Sequence, residues 1–371
     1  MTVYFKGLKF IRFIAASLVV IHHTEQFKSI FGLDNYWENG FIRNLGDKGV
    51  TLFFVLSGFL ITFLLLKERE TSGTINIKYF YIRRILRIWP LYFLVVLSSI
   101  FIFPHLPFFR MNGTSIIEAN FISILLLSLA ILPNVTLFKF GAIPFSSQAW
   151  SIGVEEQFYL LWPLIIKYVK QIAFFLGFII ILMFALQNCS VIINKLFGNH
   201  FMNPITLSNI SIFFKSFRID CMAIGSIGAL LVFYKNRCLN YLYNPLSSVI
   251  VLLLVIGLIL NPYKVYFFDN IIYSILFMFF IINVATYDKC LYVIENSFFN
   301  KLGDISYGIY MYHPIVCFTT LKLFGTQLST FIEYCLIFIF TFLIAYLSYI
   351  LFERKLIKIK SVKFAVIHSN K

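Results

Sequence analysis

Arg12, His22 and His23 all fall within one apolar stretch, Leu8 to Phe31. An imidazole can take a proton from a hydroxyl near neutral pH, and a guanidinium keeps its charge throughout. Arg12 and His23 are 11 residues apart. On a helix this is close to three whole turns, so they share a face about 16 Å apart along its axis. Such groups are costly in hydrocarbon and mark a polar path, unless Arg12 snorkels to headgroups and the histidines reach the opposite interface.

Two carboxylates stand together in Trp150-Ser151-Ile152-Gly153-Val154-Glu155-Glu156-Gln157-Phe158-Tyr159. Adjacent helical positions point about 100° apart, so one of Glu155 and Glu156 can face a site while the other caps or pairs elsewhere. A carboxylate beside an imidazole would orient it and raise its basicity. Acids early in a helix also complement its dipole. Arg83, Arg84 and Arg87 form a cluster in which Arg83 and Arg87 lie at i,i+4 on one face. Guanidinium forks match phosphate oxygens, although the same cluster could serve as orientation charge or bind headgroups.

Arg218 and Asp220, two positions apart, point to nearly opposite sides of a helix. Each therefore needs its own buried partner or a wet cavity. Ser306, Tyr310 and His313 share a helical face that should line a bundle interior, with His313 at the bend before Pro314. Ser57-Gly58 suits close helix packing. His105, His200 and His368 read as solvated. The sequons at Asn112 and Asn134 carry little weight without a secretory context.

The elements that must position these groups are membrane helices. Of 371 residues, 60% are hydrophobic and 13% charged, with continuous apolar runs rather than the short alternating segments of a β-barrel. Candidate spans cover 8–31, 48–66, 88–104, 119–138, 150–168, 171–187, 209–234, 246–261, 268–286, 303–324 and 330–352. Basic flanks place both termini in the cytoplasm, so one candidate should not cross. We assign that role to 119–138, interrupted by Pro133 and Asn134, as a re-entrant or surface-lying segment beside the site. Ten full spans remain.

The first span reads as uncleaved. The net charge of +15 is spread over short inter-span segments, which argues against a nucleic-acid partner. Six cysteines show no metal or redox spacing, and no metal site is expected. The sequence shows no repeat and no soluble domain after the last span. Residues 1–355 read as one membrane domain and 356–371 as a basic cytoplasmic tail.

Taken in order, these residues resemble the acyltransferase family 3 membrane proteins. The matching elements are Arg12 with His23, Gly49-Val50 leading to Phe53-Phe54-Val55-Leu56-Ser57-Gly58, and Arg83-Arg84 with Arg87. Further on come Trp150-Ser151 through Leu160, Arg218 with Asp220, and Ile305-Ser306-Tyr307 through His313. The resemblance implies an all-α polytopic enzyme of a bacterial cytoplasmic membrane. It would move an acyl group, usually acetyl, from cytoplasmic acetyl-CoA to a hydroxyl of a surface or lipid-linked saccharide. His23 would be the base or transient acyl carrier, with Arg12 on its face and Glu155 or Glu156 in support. Arg83, Arg84 and Arg87 would hold coenzyme A phosphates, and Ser57, Arg218, Asp220, Ser306, Tyr307 and His313 join the candidate binding set.

Two features depart from the family pattern. Some relatives add an extracytoplasmic hydrolase-like domain, so either a separate extracytoplasmic partner supplies any second stage or transfer finishes within the membrane domain. The closing Glu353 also lacks a proline two residues later. The competing functions are a transporter or flippase for a glycolipid or small anion, and acyl transfer to a non-sugar acceptor.

Overall fold

The computed structural model describes residues 5, 7–111, 113–197, 203–261, 268–287, 290, 296–325 and 327–363. His200, His368 and Asn112 lie outside them. Backbone groups in hydrocarbon must be satisfied within the chain. The described residues meet this need with helices and contain no strand.

Helices α1 (Leu8–Ile30), α2 (Gly40–Ser72) and α3 (Ile77–Phe101) come first. Asn39 opens α2 by accepting from the Phe41 amide at 2.9 Å, and Asn76 opens α3 by accepting from the Tyr79 amide at 3.0 Å. The turn between them passes through Gly73 at φ 71°, a conformation that suits a residue without Cβ. Glu68 fastens that turn. It accepts from the Asn76 amide at 2.9 Å and pairs with Arg83 at 2.8 Å.

In place of one segment over 119–138 the chain forms α4 (Thr114–Ala119), α5 (Phe121–Leu129) and α6 (Pro133–Phe140). It turns at Ile131, φ 57°, and restarts at Pro133, where a missing amide costs nothing. With 9 and 8 residues, α5 and α6 each reach about 12–14 Å, under half of a hydrocarbon core. The side-chain amides of Asn134 and Gln157 bond reciprocally at 3.0 and 3.3 Å. This pair docks α6 on α7 (Trp150–Tyr168).

Next, α8 (Ile172–Gln187) and α9 (Cys189–Phe197) meet at a bend of 71°. Arg218, in the left-handed region at φ 34°, separates α10 (Pro204–Phe217) from α11 (Ile219–Phe233). Then come α12 (Leu239–Leu242), α13 (Pro245–Leu260), α14 (Asp269–Thr286), α15 (Ser297–Asp304), α16 (Ser306–Phe324) and α17 (Thr330–Ser348). A π-helical turn at Tyr349–Glu353 leads into α18 (Arg354–Lys363), with Glu353 buried and accepting from the Ser348 hydroxyl at 3.1 Å.

Among the described residues, five helices are long and apolar enough to cross a membrane, or six if the bent α8–α9 pair is one span. They include α2, α3, the α10–α11 run, α14 and α17. This is fewer than the ten expected. In α1, α7 and α16 the charged and polar residues singled out above interrupt the apolar surface, and α13 has only 16 residues.

The central helix is α2, packed against α1, α7, α11 and α14. Its crossing with α11 is made by two glycines. A Cβ on Gly58 would lie 2.0 Å from the Met222 carbonyl oxygen, and one on Gly225 would lie 2.0 Å from the Val55 carbonyl oxygen. Small residues at a crossing let backbones approach and recover dispersion energy that lipid cannot supply. A buried chain of bonds locks the same place: Trp162 donates to Thr62 at 2.7 Å, Thr62 to Ser226 at 2.8 Å, and Ser226 lies 3.3 Å from the Gly58 carbonyl oxygen. Gly225→Ala is expected to destabilise the fold by about 1–3 kcal/mol through overpacking. The thermal midpoint in detergent reads this directly, and an unchanged midpoint would mean that the two backbones can separate without penalty.

Candidate active site

A cavity of about 90 Å³ lies between α1, α2, α3, α7 and α16. Arg12 enters it from α1 and Ser57 from α2. Arg84 and Arg87 come from α3, Glu155 and Tyr159 from α7, and Ser306, Tyr307 and Tyr310 from α16. Glu155 is held by the Ser57 hydroxyl at 2.7 Å and the Tyr159 hydroxyl at 3.3 Å. The Arg84 guanidinium lies 5.8 Å from the centre of the Tyr159 ring, and its Nε is buried without a hydrogen-bond partner among the described residues. Likewise among the described residues, no carboxylate lies within salt-bridge distance of Arg12, Arg84 or Arg87. Three cations therefore face one carboxylate, which is already hydrogen-bonded. In a low-dielectric surround such an excess favours an anionic ligand.

Arg83 is placed differently from the expectation. The i,i+4 spacing put Arg83 and Arg87 on one face, but the cavity takes Arg84 and Arg87, at i,i+3, while buried Arg83 turns to Glu68. The adjacent glutamates also divide. Glu155 faces the cavity, whereas Glu156 accepts from the Trp89 indole at 2.9 Å and leaves its second oxygen unpartnered. Ser306 donates to the Gly303 carbonyl at 2.8 Å and Tyr307 to the Ile88 carbonyl at 2.9 Å, so both line the cavity with their hydroxyls already bonded.

His23 opens on a second cavity of about 580 Å³, lined by His22, Trp37, Arg43, Asn44, Asp47, Gln148, Trp150 and Tyr310. Its Nδ1 lies 3.0 Å from the Val19 carbonyl oxygen and 3.1 Å from His313 Nε2, while His313 Nδ1 lies 3.3 Å from the Ile309 carbonyl oxygen. Carbonyls only accept, so His313 carries its proton on Nδ1 and presents Nε2 as an acceptor. His23 then donates from Nδ1, which leaves the lone pair of its Nε2 free. This tautomer follows from the hydrogen-bond network, and it is the one a general base requires. The His22 ring packs at 4.9 Å from His23 and 5.0 Å from Trp37.

Arg218 and Asp220 have separate partners, as expected, although Arg218 stands in the left-handed break before α11 and not on a continuous helix. Arg218 pairs with Asp47 at 2.5 Å, bonds the Thr51 hydroxyl at 3.1 Å and stacks over Trp150. Buried Asp220 accepts from the Gln187 amide at 3.1 Å. Neither lines the arginine cavity. Arg218 instead braces the wall of the histidine cavity through Asp47 and Trp150.

Compared with known proteins, residues 5–350 match a family model described as an acyltransferase domain, that of acyltransferase 3. The chain belongs to the acyltransferase 3 family. The matched region is the family's acyltransferase domain. The chain is 32% identical to the peptidoglycan O-acetyltransferase OatA of Listeria monocytogenes over 177 residues, 45% of this chain and 26% of that protein. The O-acetyltransferase OatA of Staphylococcus aureus is 34% identical over 168 residues, 44% of this chain and 25% of the relative. A protein of Staphylococcus aureus strain COL, provisionally named an O-acetyltransferase, is 28% identical over 331 residues, 84% of this chain and 50% of its own length. The chain thus spans about half, or less, of the length of these relatives. No solved structure matches.

Several residues of this acyltransferase's cavities carry no signal in the sequence. Gln148 and Trp37 sit in connecting segments where no periodicity picks them out. Tyr159 and Ser151 lie inside the quoted aromatic-acidic stretch, so only their contacts distinguish them from packing residues.

Proposed function

We propose that the chain transfers an acetyl group from cytoplasmic acetyl-CoA to a hydroxyl of a saccharide held beside His23. The observation that carries this reading is the set of three guanidiniums, from Arg12, Arg84 and Arg87, converging on one cavity without a salt bridge among the described residues. Coenzyme A presents phosphates at one end and a thioester at the other, and arginine forks match phosphate oxygens. The donor's phosphates lie at Arg84 and Arg87, and the pantetheine arm runs along α1 toward His23. Arg12, which lines the same cavity as Arg84 and Arg87, lies about 16 Å from His23 along α1 at helical rise.

The acceptor occupies the histidine cavity. Trp37 and Trp150 offer flat faces for a sugar ring, and Asn44 and Asp47 offer polar contacts. The acceptor hydroxyl gives its proton to His23 Nε2, its oxygen bonds to the thioester carbonyl carbon, and the carbon–sulfur bond breaks. The departing thiolate takes up the proton. Because a thioester is already activated, an oriented base together with binding energy goes far toward the necessary rate.

The sugar acceptor is supported by the relatives, one of which is named a peptidoglycan O-acetyltransferase. The test is acetyl-CoA with peptidoglycan fragments and purified protein, scored as base-labile acetate on the glycan and free thiol in solution. Equal amounts of both are expected. Thiol release without sugar-bound acetate would move the acceptor to another class, and no thiol release with any acceptor would remove acetyl-CoA as donor.

A further inference from the structure

Tyr310 is the one residue that lines both the arginine cavity and the histidine cavity among the described residues. Its ring lies 5.7 Å from the Phe53 ring on one side and 6.0 Å from the His313 ring on the other. The hydroxyl is pinned, 2.7 Å from the Ser151 hydroxyl and donating to the Gln148 carbonyl at 2.9 Å. Gln148 is anchored in turn, its side-chain amide donating to Met311 at 2.9 Å and to Phe145 at 3.1 Å. Beside this ring stands a second aromatic pair, Phe54 and Trp150, at 6.0 Å, with the Arg218 guanidinium over Trp150. An aromatic wall therefore separates the two cavities, and its most tightly bonded member is Tyr310.

We propose that Tyr310 is the partition between the two substrate chambers and limits the length of the acyl group that can be transferred. The inference rests on the donor reading above. If the thioester arrives from the arginine side, its acyl group is the leading end and must pass the edge of Tyr310 to reach His23. A two-carbon group passes. A longer chain needs the volume that the ring and Phe53 occupy. Until the acetyl group threads past the ring, the same wall keeps water of the histidine cavity from the thioester. In a breached wall, water oxygen bonds to the thioester carbonyl carbon, the carbon–sulfur bond breaks, and a proton passes to the thiolate, giving acetate and free coenzyme A.

The test needs only acyl-CoA, water and purified protein, with acetyl-CoA binding measured by calorimetry beside each rate. For Tyr310→Ala, acceptor-free hydrolysis of acetyl-CoA is expected to rise, and the ratio of butyryl-CoA to acetyl-CoA turnover to increase by about tenfold or more, the scale at which pockets discriminate methylenes. Tyr310→Phe keeps the ring but loses the two hydroxyl contacts, so it should leak water yet still favour acetyl. Phe53→Leu widens the same throat from α2 and supplies the answer if Tyr310→Ala does not fold. Variants that bind acetyl-CoA as the wild type does, with hydrolysis and chain-length ratio unchanged, would overturn the partition. A wild type that does not bind acetyl-CoA would instead overturn the donor reading, and the partition with it.

Discussion

His23→Ala is expected to lower acetyl transfer by about two to four orders of magnitude, the usual contribution of a positioned general base. His22→Ala should cost far less. The two imidazoles are adjacent in sequence and both line the histidine cavity, but only His23 reaches His313. His22 contacts the Ile42 carbonyl at a long 3.4 Å and packs on Trp37, so its loss loosens a wall without removing a base. His313 is a positioning residue, because with the Val19 carbonyl it accepts the proton that His23 carries on Nδ1. His313→Gln retains a carbonyl that can accept this proton, so it should preserve more turnover than His313→Ala, with acetyl-CoA binding unchanged in both. The measurement is kcat for glycan acetylation at matched membrane abundance. Equal losses for His22→Ala and His23→Ala would dissolve the distinction, and equal losses for the two His313 variants would reduce that residue to packing.

The next largest effect is expected at the arginines. Each charge-assisted hydrogen bond contributes roughly 1.5–3 kcal/mol, so Arg84→Ala with Arg87→Ala should raise KM for acetyl-CoA by about a hundredfold, with a smaller change in kcat. Arg83→Ala should behave differently. It strands the buried Glu68 carboxylate, a change that typically costs about 3–5 kcal/mol of stability, so it should reduce folded protein while the survivors keep their KM. Calorimetric titration of acetyl-CoA and yield by size exclusion separate the two outcomes. An unchanged KM in the double variant would remove the phosphates from this cavity.

These contrasts also mark how far the sequence could be read. Arg12 and His23 share a helix, and their spacing alone placed them on one face. Separate partners for Arg218 and Asp220 were likewise expected, and they are Asp47 and Gln187. Arg83 was misjudged for a physical reason. Its partner Glu68 lies 15 residues earlier on another helix, and only the turn at Gly73 brings them together. Within α3, i,i+3 and i,i+4 neighbours are equally plausible companions for Arg87, so a partner on α2 decides between them. The break at Arg218, where the backbone turns left-handed, was hidden in continuous apolar composition, whereas Pro133 and Asn134 marked the interruption of 119–138. Tyr310 was visible as part of a polar stripe, but a boundary between two cavities exists only once α2, α7 and α16 are assembled.

The glycine crossing of α2 and α11 bears on how matter moves through this molecule. A carrier that exposes its cargo first to one side and then to the other must let part of itself slide or rock, and a sliding surface needs tolerance. Here each backbone occupies the space that a single methyl on its neighbour would need, and the Trp162–Thr62–Ser226 bonds close the joint again. The same α2 carries Phe53 and Ser57 into the arginine cavity. One wall of the arginine cavity is thus mounted on a tightly closed joint. On the proposed reading, traffic is left to the small groups, a thioester threading in from one end and a hydroxyl settling at the other, while this part of the frame behaves as a fixed bulkhead.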